Sequence, residues 1–388
     1  MGLHHLLTGS YSNSSLYLLA FDTVARTLTL NSTVPGFGLH QFVTSNAARD
    51  VIYATTMSEP PLIFSWSRTK DNVITHINTA NVTTSFCYIS DNGDYTFSAG
   101  GSGARINAID EDGGIGDIVN EMFYVPQQEI PRVDKTRAAV VSMENPLDME
   151  LGSTDTRDFF QLYGAHGFDV NVNNKGFVPH LGWDAIFMYD IAKNGSADLL
   201  SINLSPEVND GPRNVYPSED GKWLYVINEH SQYLDVYEVG ERDLKHKQRA
   251  SVIPDEVRGK YTYRSNAVRL SRDRKTIFTS TRSWNNTEAN GWVAAFELSE
   301  HGNLTNTRAV ALYEAPLSLG SAGGLRVAFW EDETNADPQG VTDYMYLSDT
   351  QEGYMYILGW APSTKTLCQV AALHYPDNAQ PYEAVWLD

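Results

Sequence analysis

The chain has 388 residues, too many for one small core and enough for two domains or one large repeat architecture. Hydrophobic residues make up 42%, a globular composition, and no apolar run is long enough to cross a bilayer. With 48 acidic against 28 basic residues and a formal net charge of −20, it lacks the basic footprint that nucleic acid or an anionic membrane requires.

The start, Met1-Gly2-Leu3-His4-His5, has no basic region leading into an apolar one, which fits a secreted chain in mature form and a cytosolic chain equally. From His5 onward a strand pair recurs at a period of roughly 40–50 residues. A short apolar strand is followed by a polar turn and an alternating strand rich in aromatics. The copies are "HLLTGSYSNSSLYLLAFD", "DVIYATTMSEPPLIFSWSR" and "DYTFSAGGSGARINAID", then "KGFVPHLGWDAIFMYDI" and "KWLYVINEHSQYLDVYEV", then "KTIFTSTRSWNNTEANGWVAAFEL" and "DYMYLSDTQEGYMYILGW". Each is preceded by another short strand and usually followed by a fourth, such as "LLSINLS" or "RAVALYEA". Four short strands per repeat with little helical periodicity predict an all-β, seven-bladed β-propeller over residues 1–388 as one domain. The terminal "PYEAVWLD" is a strand without a blade of its own, expected to pair with blade 1 and close the ring. Residues 126–162 are too long for a blade connection and have two readings, a lid or a surface excursion.

In a propeller, equivalent positions of successive blades converge in space. The strands that open the blades carry His166 in "GAHGFDV", Arg213 in "GPRNVY" and Arg264 in "YRSNAV". After the next strand come His180, Asn228 with Glu229, Arg282 and Asp349. His166 matches Arg213 in repeat position, and Glu229 matches Arg282. Histidine and glutamate exchange protons, and arginines stabilise developing negative charge on oxygen. We therefore expect His166, Arg213, Glu229 and Arg282 as the catalytic set, with His180, Asn228, Arg264 and Asp349 as substrate contacts. No nucleotide-binding loop opens a helix, the "GGSG" at 100–103 reads as a β-turn, and no nucleophile elbow is present. His4 and His5 are adjacent and point to opposite faces of a strand, so no metal spacing is visible. The expectation is acid–base and electrostatic chemistry without a cofactor, on a small-molecule substrate.

Seven sequons, at Asn13, Asn31, Asn81, Asn194, Asn203, Asn285 and Asn303, exceed the about four that composition predicts, which points to the secretory route with cytoplasmic residence as the alternative. Two cysteines, Cys87 and Cys368, are candidates for one disulfide if ring closure brings blade 7 to the N-terminal blades.

At "LHHLLTGSY", "HGFDV", "GPRNVYPSEDGKWLYVINEH", "YRSNAVRLSRDRKTIFTSTR", "SDTQEGYMYILGW" and "AVWLD" the sequence resembles the fungal carboxy-cis,cis-muconate cyclases, within the wider lactonase-like propellers that include 6-phosphogluconolactonases. The resemblance runs blade by blade over nearly the whole chain. It implies a seven-bladed propeller and places the family's catalytic and substrate-binding residues on His166, Arg213, Glu229 and Arg282. Those enzymes close a lactone by adding a carboxylate oxygen to a conjugated alkene. Three departures set this chain apart: the 126–162 insert, the scarcity of positive charge in "INTANVTTSFCYISDNGDYTFSAGG", and the sequons. They favour a secreted fungal branch resembling the hetero-Diels–Alderases of tropolonic sesquiterpene pathways, in which a quinone methide adds across an alkene. The expected function is a cofactor-free cyclase forming a C–O bond on a conjugated π-system. The alternatives are a carboxymuconate cycloisomerase or related lactonase, and a non-catalytic secreted propeller that binds a ligand.

Overall fold

The structure is a computed structural model that describes residues 2–56, 58, 60–124, 164–284, 288–318, 322–330 and 339–388. The insert at 126–162 and the Asn285 sequon lie outside the described residues.

The chain builds seven four-stranded sheets, the blades of an all-β seven-bladed propeller. β1 (Leu3–Ser10), β2 (Ser15–Asp22) and β3 (Thr27–Pro35) belong to the first blade. β4 (Val43–Ser45), β5 (Val51–Thr55), β6 (Leu62–Arg68) and β7 (Ile74–Asn81) form the second. The third holds β8 (Tyr88–Asp91), β9 (Tyr95–Gly100), β10 (Gly103–Ile109) and β11 (Ile115–Phe123). In the fourth, β12 (Asp169–Val170) is followed by β13 (Lys175–His180), β14 (Ala185–Ile191) and β15 (Ala197–Leu204). The fifth contains β16 (Pro212–Pro217), β17 (Trp223–Asn228), β18 (Tyr233–Val239) and β19 (Leu244–Ser251). β20 (Tyr263–Leu270), β21 (Thr276–Ser283), β22 (Asn290–Glu297) and β23 (Ala311–Ser318) make the sixth. β24 (Ala322–Val327), β25 (Asp343–Asp349), β26 (Tyr354–Ala361) and β27 (Thr366–His374) make the seventh. The last strand, β28 (Pro381–Trp386), pairs antiparallel with β1, so the C-terminus completes the first blade as the sequence predicts. The "GGSG" segment is the tight hairpin between β9 and β10, with Gly100 opposite Gly103.

The chain divides into two compact units: residues 1–43, 232–234 and 248–388 in the first, and 44–231 and 235–247 in the second. Within each unit the blades pack face to face. Middle strands such as β14, AIFMYDI, are buried at every position but one, because a neighbouring blade covers each face. Outer strands such as β3 and β19 are largely exposed or half-buried, and their sequences are correspondingly polar. In the second unit, Phe97, Ile106, Val178, Phe187 and Tyr189 fill one inter-blade core, and Phe177, Met188, Val215 and Val226 fill the next. In the first unit, Phe21, Tyr346, Ile357 and Trp386 share a core.

Short-range chemistry sets the turns. In "SEDG" the Ser218 hydroxyl donates to Asp220 at 2.6 Å and accepts from Trp223 N at 2.9 Å, while Gly221 N closes the turn on Ser218 O. Ser271 does the same for "SRDR", donating to Asp273 and accepting from Thr276 N. Asn171 serves the equivalent turn in blade 4 with its amide oxygen on Lys175 N.

One irregularity repeats. Among the described residues, the ladder between the two innermost strands gains one extra residue in blades 1, 4, 5, 6 and 7, always near the same end. In blade 5, Pro212 opposes Asn228 and Asn214 opposes Ile227, leaving Arg213 as the bulged residue. A bulge bends the strand and re-aims the side chain it carries.

Cys87 and Cys368, the candidates for one disulfide, are not joined; both are free thiols. Cys87 is buried with its sulfur against His166, Ala99 and Ala165 in the second unit. Cys368 lies on β27 in the first unit, beside Gln339 and Gly359. Each thiol thus has its hydrogen-bonding contacts locally, in its own unit.

Trp386 ties β28 into the core: it is 1% exposed, packs edge-on to Phe21 and Trp330, and its indole N–H donates to Arg326 O at 3.1 Å. Trp386→Ala is expected to cost about 3–5 kcal/mol in urea unfolding, while Asn31→Ala on exposed β3 stays within about 0.5 kcal/mol. Equal midpoints for the two variants would contradict this account of the closure strand.

Candidate functional site

Ladder register aligns the blades residue by residue and shows what the bulge presents. Counting back from the paired positions, Cys87 in blade 3, His166 in blade 4 and Arg213 in blade 5 occupy one repeat position, just before each blade's first strand or at its bulge. All three are buried. They form one network in the second unit. The Cys87 sulfur lies 2.9 Å from His166 Nδ1. His166 O accepts Asn214 Nδ2 at 3.0 Å, Asn214 Oδ1 accepts Arg213 Nη1 at 3.0 Å, and Arg213 Nε donates to Glu229 Oε2 at 2.6 Å.

Local backbone holds this network rigid. Glu229 N donates to Gly211 O at 2.7 Å, fastening the end of β17 to the start of β16. The fully buried Asp184 carboxylate accepts Asn209 N at 3.1 Å and Gly211 N at 3.0 Å, pinning the loop that leads into Arg213. Gly211 has φ +65, and a Cβ there would meet His230 Nδ1 at 2.6 Å. Gly167 of the "HGF" motif is needed for closeness: its Cβ would lie 3.2 Å from Pro179, with Arg213 O and Asn214 Nδ2 at 3.4 Å.

The electrostatics follow from burial. The Arg213 and Glu229 side chains are 8% and 1% exposed, so each charge loses its hydration and depends on the other. Desolvation pushes the Cys87 thiol up to about 12, only partly offset by the positive charge of Arg213, so the sulfur keeps its proton at neutral pH.

Of the expected catalytic residues, His166, Arg213 and Glu229 are therefore brought together. Arg282 belongs to the first unit. There it is paired across the ladder with Arg264, and both guanidinium groups lie over one indole, Trp284, at 4.9 and 5.6 Å. Two like charges directly opposite on neighbouring strands repel, and the shared aromatic face offsets part of that cost. Also in that unit, Asn266 and Tyr382 occupy the repeat position of Arg213 in blades 6 and 1, and the Tyr382 hydroxyl donates to Asn266 Oδ1 at 3.2 Å.

Three of the expected substrate contacts, His180, Asp349 and Asn228, make hydrogen bonds within the fold. His180 Nδ1 accepts Trp183 N at 3.1 Å, and Asp349 Oδ1 accepts Glu352 N at 3.1 Å; each caps the four-residue turn that follows it. Their matching positions reflect this shared capping role. Burial against Tyr124 and Phe187 pushes the His180 pKa down to about 3, so its ring is neutral. Asn228 is fully buried and donates to Asp235 Oδ2 at 2.7 Å, while Asp235 Oδ1 lies 2.9 Å from His246 Nε2. Among the sequons, Asn31, Asn81 and Asn194 are exposed. Asn13, Asn203 and Asn303 are half-buried, and the Asn203 amide donates to Ile186 O and accepts Leu244 N.

Sequence reasoning missed Cys87 and Asn214 as members of the site. Cys87 was legible in principle, since it falls at the repeat position of His166 and Arg213. Asn214 carried no signal beyond its place beside Arg213, because its role depends on the bulge.

Residues 5–319 match the family described as Lactonase, 7-bladed beta-propeller. Muconate cycloisomerase 1 of Cutaneotrichosporon cutaneum is 26% identical over 396 residues, covering 99% of this chain and 98% of that protein. Among solved structures, the periplasmic gluconolactonase of Pseudomonas aeruginosa superposes with a TM-score of 0.75 at 16% identity, covering 100% of this chain and 99% of that one. A putative 6-phosphogluconolactonase from Bacteroides fragilis gives 0.73 at 16% identity, with 100% and 98% covered. These two likenesses show the fold.

Removing one charge of the buried pair strands the other, so Glu229→Ala is expected to destabilise by about 3–5 kcal/mol, and the double variant Arg213→Met/Glu229→Leu by clearly less. Urea titration of the three proteins decides it; a double variant as damaged as the single one would refute the pairing. His180 gives a second expectation. The unfolded chain takes up a proton near pH 6.5 that the folded chain resists to about 3. Stability is therefore full above about pH 6.5 and falls as pH drops toward 3, by an amount on the order of a few kcal/mol. His180→Gln should flatten that slope by about one proton in a pH series of unfolding curves.

Proposed function

Since the chain belongs to the lactonase, seven-bladed β-propeller family, we propose that it is an enzyme that makes a ring by forming a C–O bond on a conjugated small molecule. The carrying observation is the buried network of His166, Asn214, Arg213 and Glu229, which places a proton-exchanging ring and a guanidinium–carboxylate pair in one fixed frame. Such groups act without a cofactor: the guanidinium polarises a substrate oxygen as charge develops, and the imidazole donates a hydrogen bond or a proton.

Arg213 is matched by Glu229 at 2.6 Å, so this pair presents no net charge. That balance suits a lightly charged substrate and favours cycloaddition of a quinone methide with an alkene. In that reading a precursor alcohol loses water: Glu229 accepts the phenolic proton and passes it to the departing hydroxyl, which leaves as water while the His166 ring donates a hydrogen bond to it. The quinone methide then adds across the alkene, forming one C–O and one C–C bond. Holding the two partners together contributes much of the acceleration. A second reading, cycloisomerisation of a carboxylated muconate, is favoured by the paired Arg264 and Arg282 on Trp284 and by the name of the C. cutaneum relative. There the two cations hold carboxylates, and Arg282 stabilises the developing charge. Export through the secretory route belongs to the first reading and is supported by the exposed sequons Asn31, Asn81 and Asn194; a mobility shift of the native protein on endoglycosidase treatment tests it.

Purified protein should convert a quinone-methide precursor plus a humulene-type alkene to a dihydropyran, resolved from the uncatalysed product by chiral chromatography. Turnover of carboxymuconate instead selects the second reading, and turnover of neither removes both. With the active substrate, His166→Gln is expected to lower kcat by about 10²–10⁴-fold, and Arg213→Lys by about 10–10²-fold because lysine lacks the planar fork. Unchanged rates in both variants would exclude this site.

A further inference from the structure

Resting on the reading of His166 as a hydrogen-bond donor to the substrate, we propose that Cys87 is a positioning residue whose thiol fixes the His166 ring in the tautomer protonated at Nε2. The sulfur lies 2.9 Å from His166 Nδ1, while its other acceptors, Ala165 O and Ala99 O, are at 3.6 and 3.7 Å. A thiol carries one hydrogen, and of these three acceptors the imidazole nitrogen is both the nearest and the strongest base. Burial keeps that hydrogen on sulfur, since desolvation raises the Cys87 pKa to about 12. A thiolate accepting from a protonated Nδ1 is thereby disfavoured. With Nδ1 occupied as an acceptor, the ring proton resides on Nε2, the form suited to donating toward substrate oxygen.

The placement is built into the fold. Cys87 stands at the repeat position of His166 one blade earlier, so the bond joins equivalent points of consecutive blades. The backbone confines both residues: Cys87 N donates to Ala99 O at 3.0 Å, His166 N donates to Pro179 O at 3.1 Å, and His166 O accepts Asn214 Nδ2. Gly100 leaves no room to shift the cysteine, since a Cβ there would meet Phe86 Cα and Cys87 N at 2.5 and 2.6 Å. The cysteine thus does for His166 what a carboxylate or carbonyl does for many active-site histidines, with the direction of the hydrogen bond reversed. A carboxylate or carbonyl accepts from N–H and fixes the opposite tautomer.

The test is ¹⁵N-histidine NMR of the full chain at neutral pH, with the His166 ring signals assigned by their loss in His166→Gln. The expected wild-type pattern is an unprotonated Nδ1 and a protonated Nε2. Cys87→Ser, which keeps a donor, should retain that pattern and most of the activity. Cys87→Ala should give a mixture of tautomers and lower kcat by about 10–10²-fold with KM changed little. A wild-type ring protonated at Nδ1, or an alanine variant with the wild-type pattern and kcat, overturns the proposal. The wild-type spectrum is decisive even if Cys87→Ala fails to fold. Full turnover in His166→Gln overturns the catalytic reading instead, and the tautomer pattern still decides whether Cys87 sets the ring.

Discussion

The middle strands of each blade are largely buried on both faces, and this constraint governs the rest of the molecule. A sheet such as β12–β15 cannot face water on either side, so it is stable only between neighbours. Adjacent blades in each unit therefore share cores, as Phe177 and Met188 do with Val215 and Val226. First strands are consequently held at fixed spacing from blade to blade. That spacing lets the Cys87 sulfur reach the ring of His166, and Asn214 reach the carbonyl of His166, across blade boundaries. Packing thus supplies the precision of the site.

Against that apolar background the buried polar groups are costly. Arg213 and Glu229 give up hydration and recover part of it from each other, and Arg213 also from Asn214. A hydrophobic pair of similar volume would serve stability as well or better, so stability alone gives no reason for these residue types. A guanidinium buried in this way acts on a nearby oxygen through a low dielectric, although the carboxylate at 2.6 Å cancels part of its field. The balance also limits what the pair can bind, since its net charge is zero.

The fold was legible because propeller physics writes itself into periodicity. Buried middle strands demand short runs of apolar and small residues, turns demand Ser-x-Asp-Gly or Asn-rich segments, and the leftover "PYEAVWLD" demanded a blade to complete. The site was legible only in part. His166, Arg213 and Glu229 stood out as charged or titratable residues at repeat positions. Cys87 did not, because a single cysteine reads first as half of a disulfide, and nothing local in the sequence places its sulfur beside an imidazole on the next blade. The bulge was hidden for a related reason. One extra residue in a short strand leaves hydrophobic periodicity almost unchanged, yet it decides where Arg213 points.

His166 and His180 show that polar residues matched in repeat position can have different surroundings. Both are buried histidines of blade 4, and both matched polar residues in other blades. His180 has its Nδ1 occupied by the amide of its own turn, and its ring lies among Tyr124 and Phe187, so burial leaves it neutral and structural. His166 has its Nδ1 against a thiol and its carbonyl on the residue that also holds Arg213. The difference lies in their partners. The hydrogen bond that the His180 ring accepts stays within its own blade, whereas His166 is hydrogen-bonded to the blades on both sides. Equivalence of position is informative here where a hydrogen bond crosses to a neighbouring blade. Such bonds join Cys87 to His166 and Asn214 to His166, and Arg213 enters the network through Asn214.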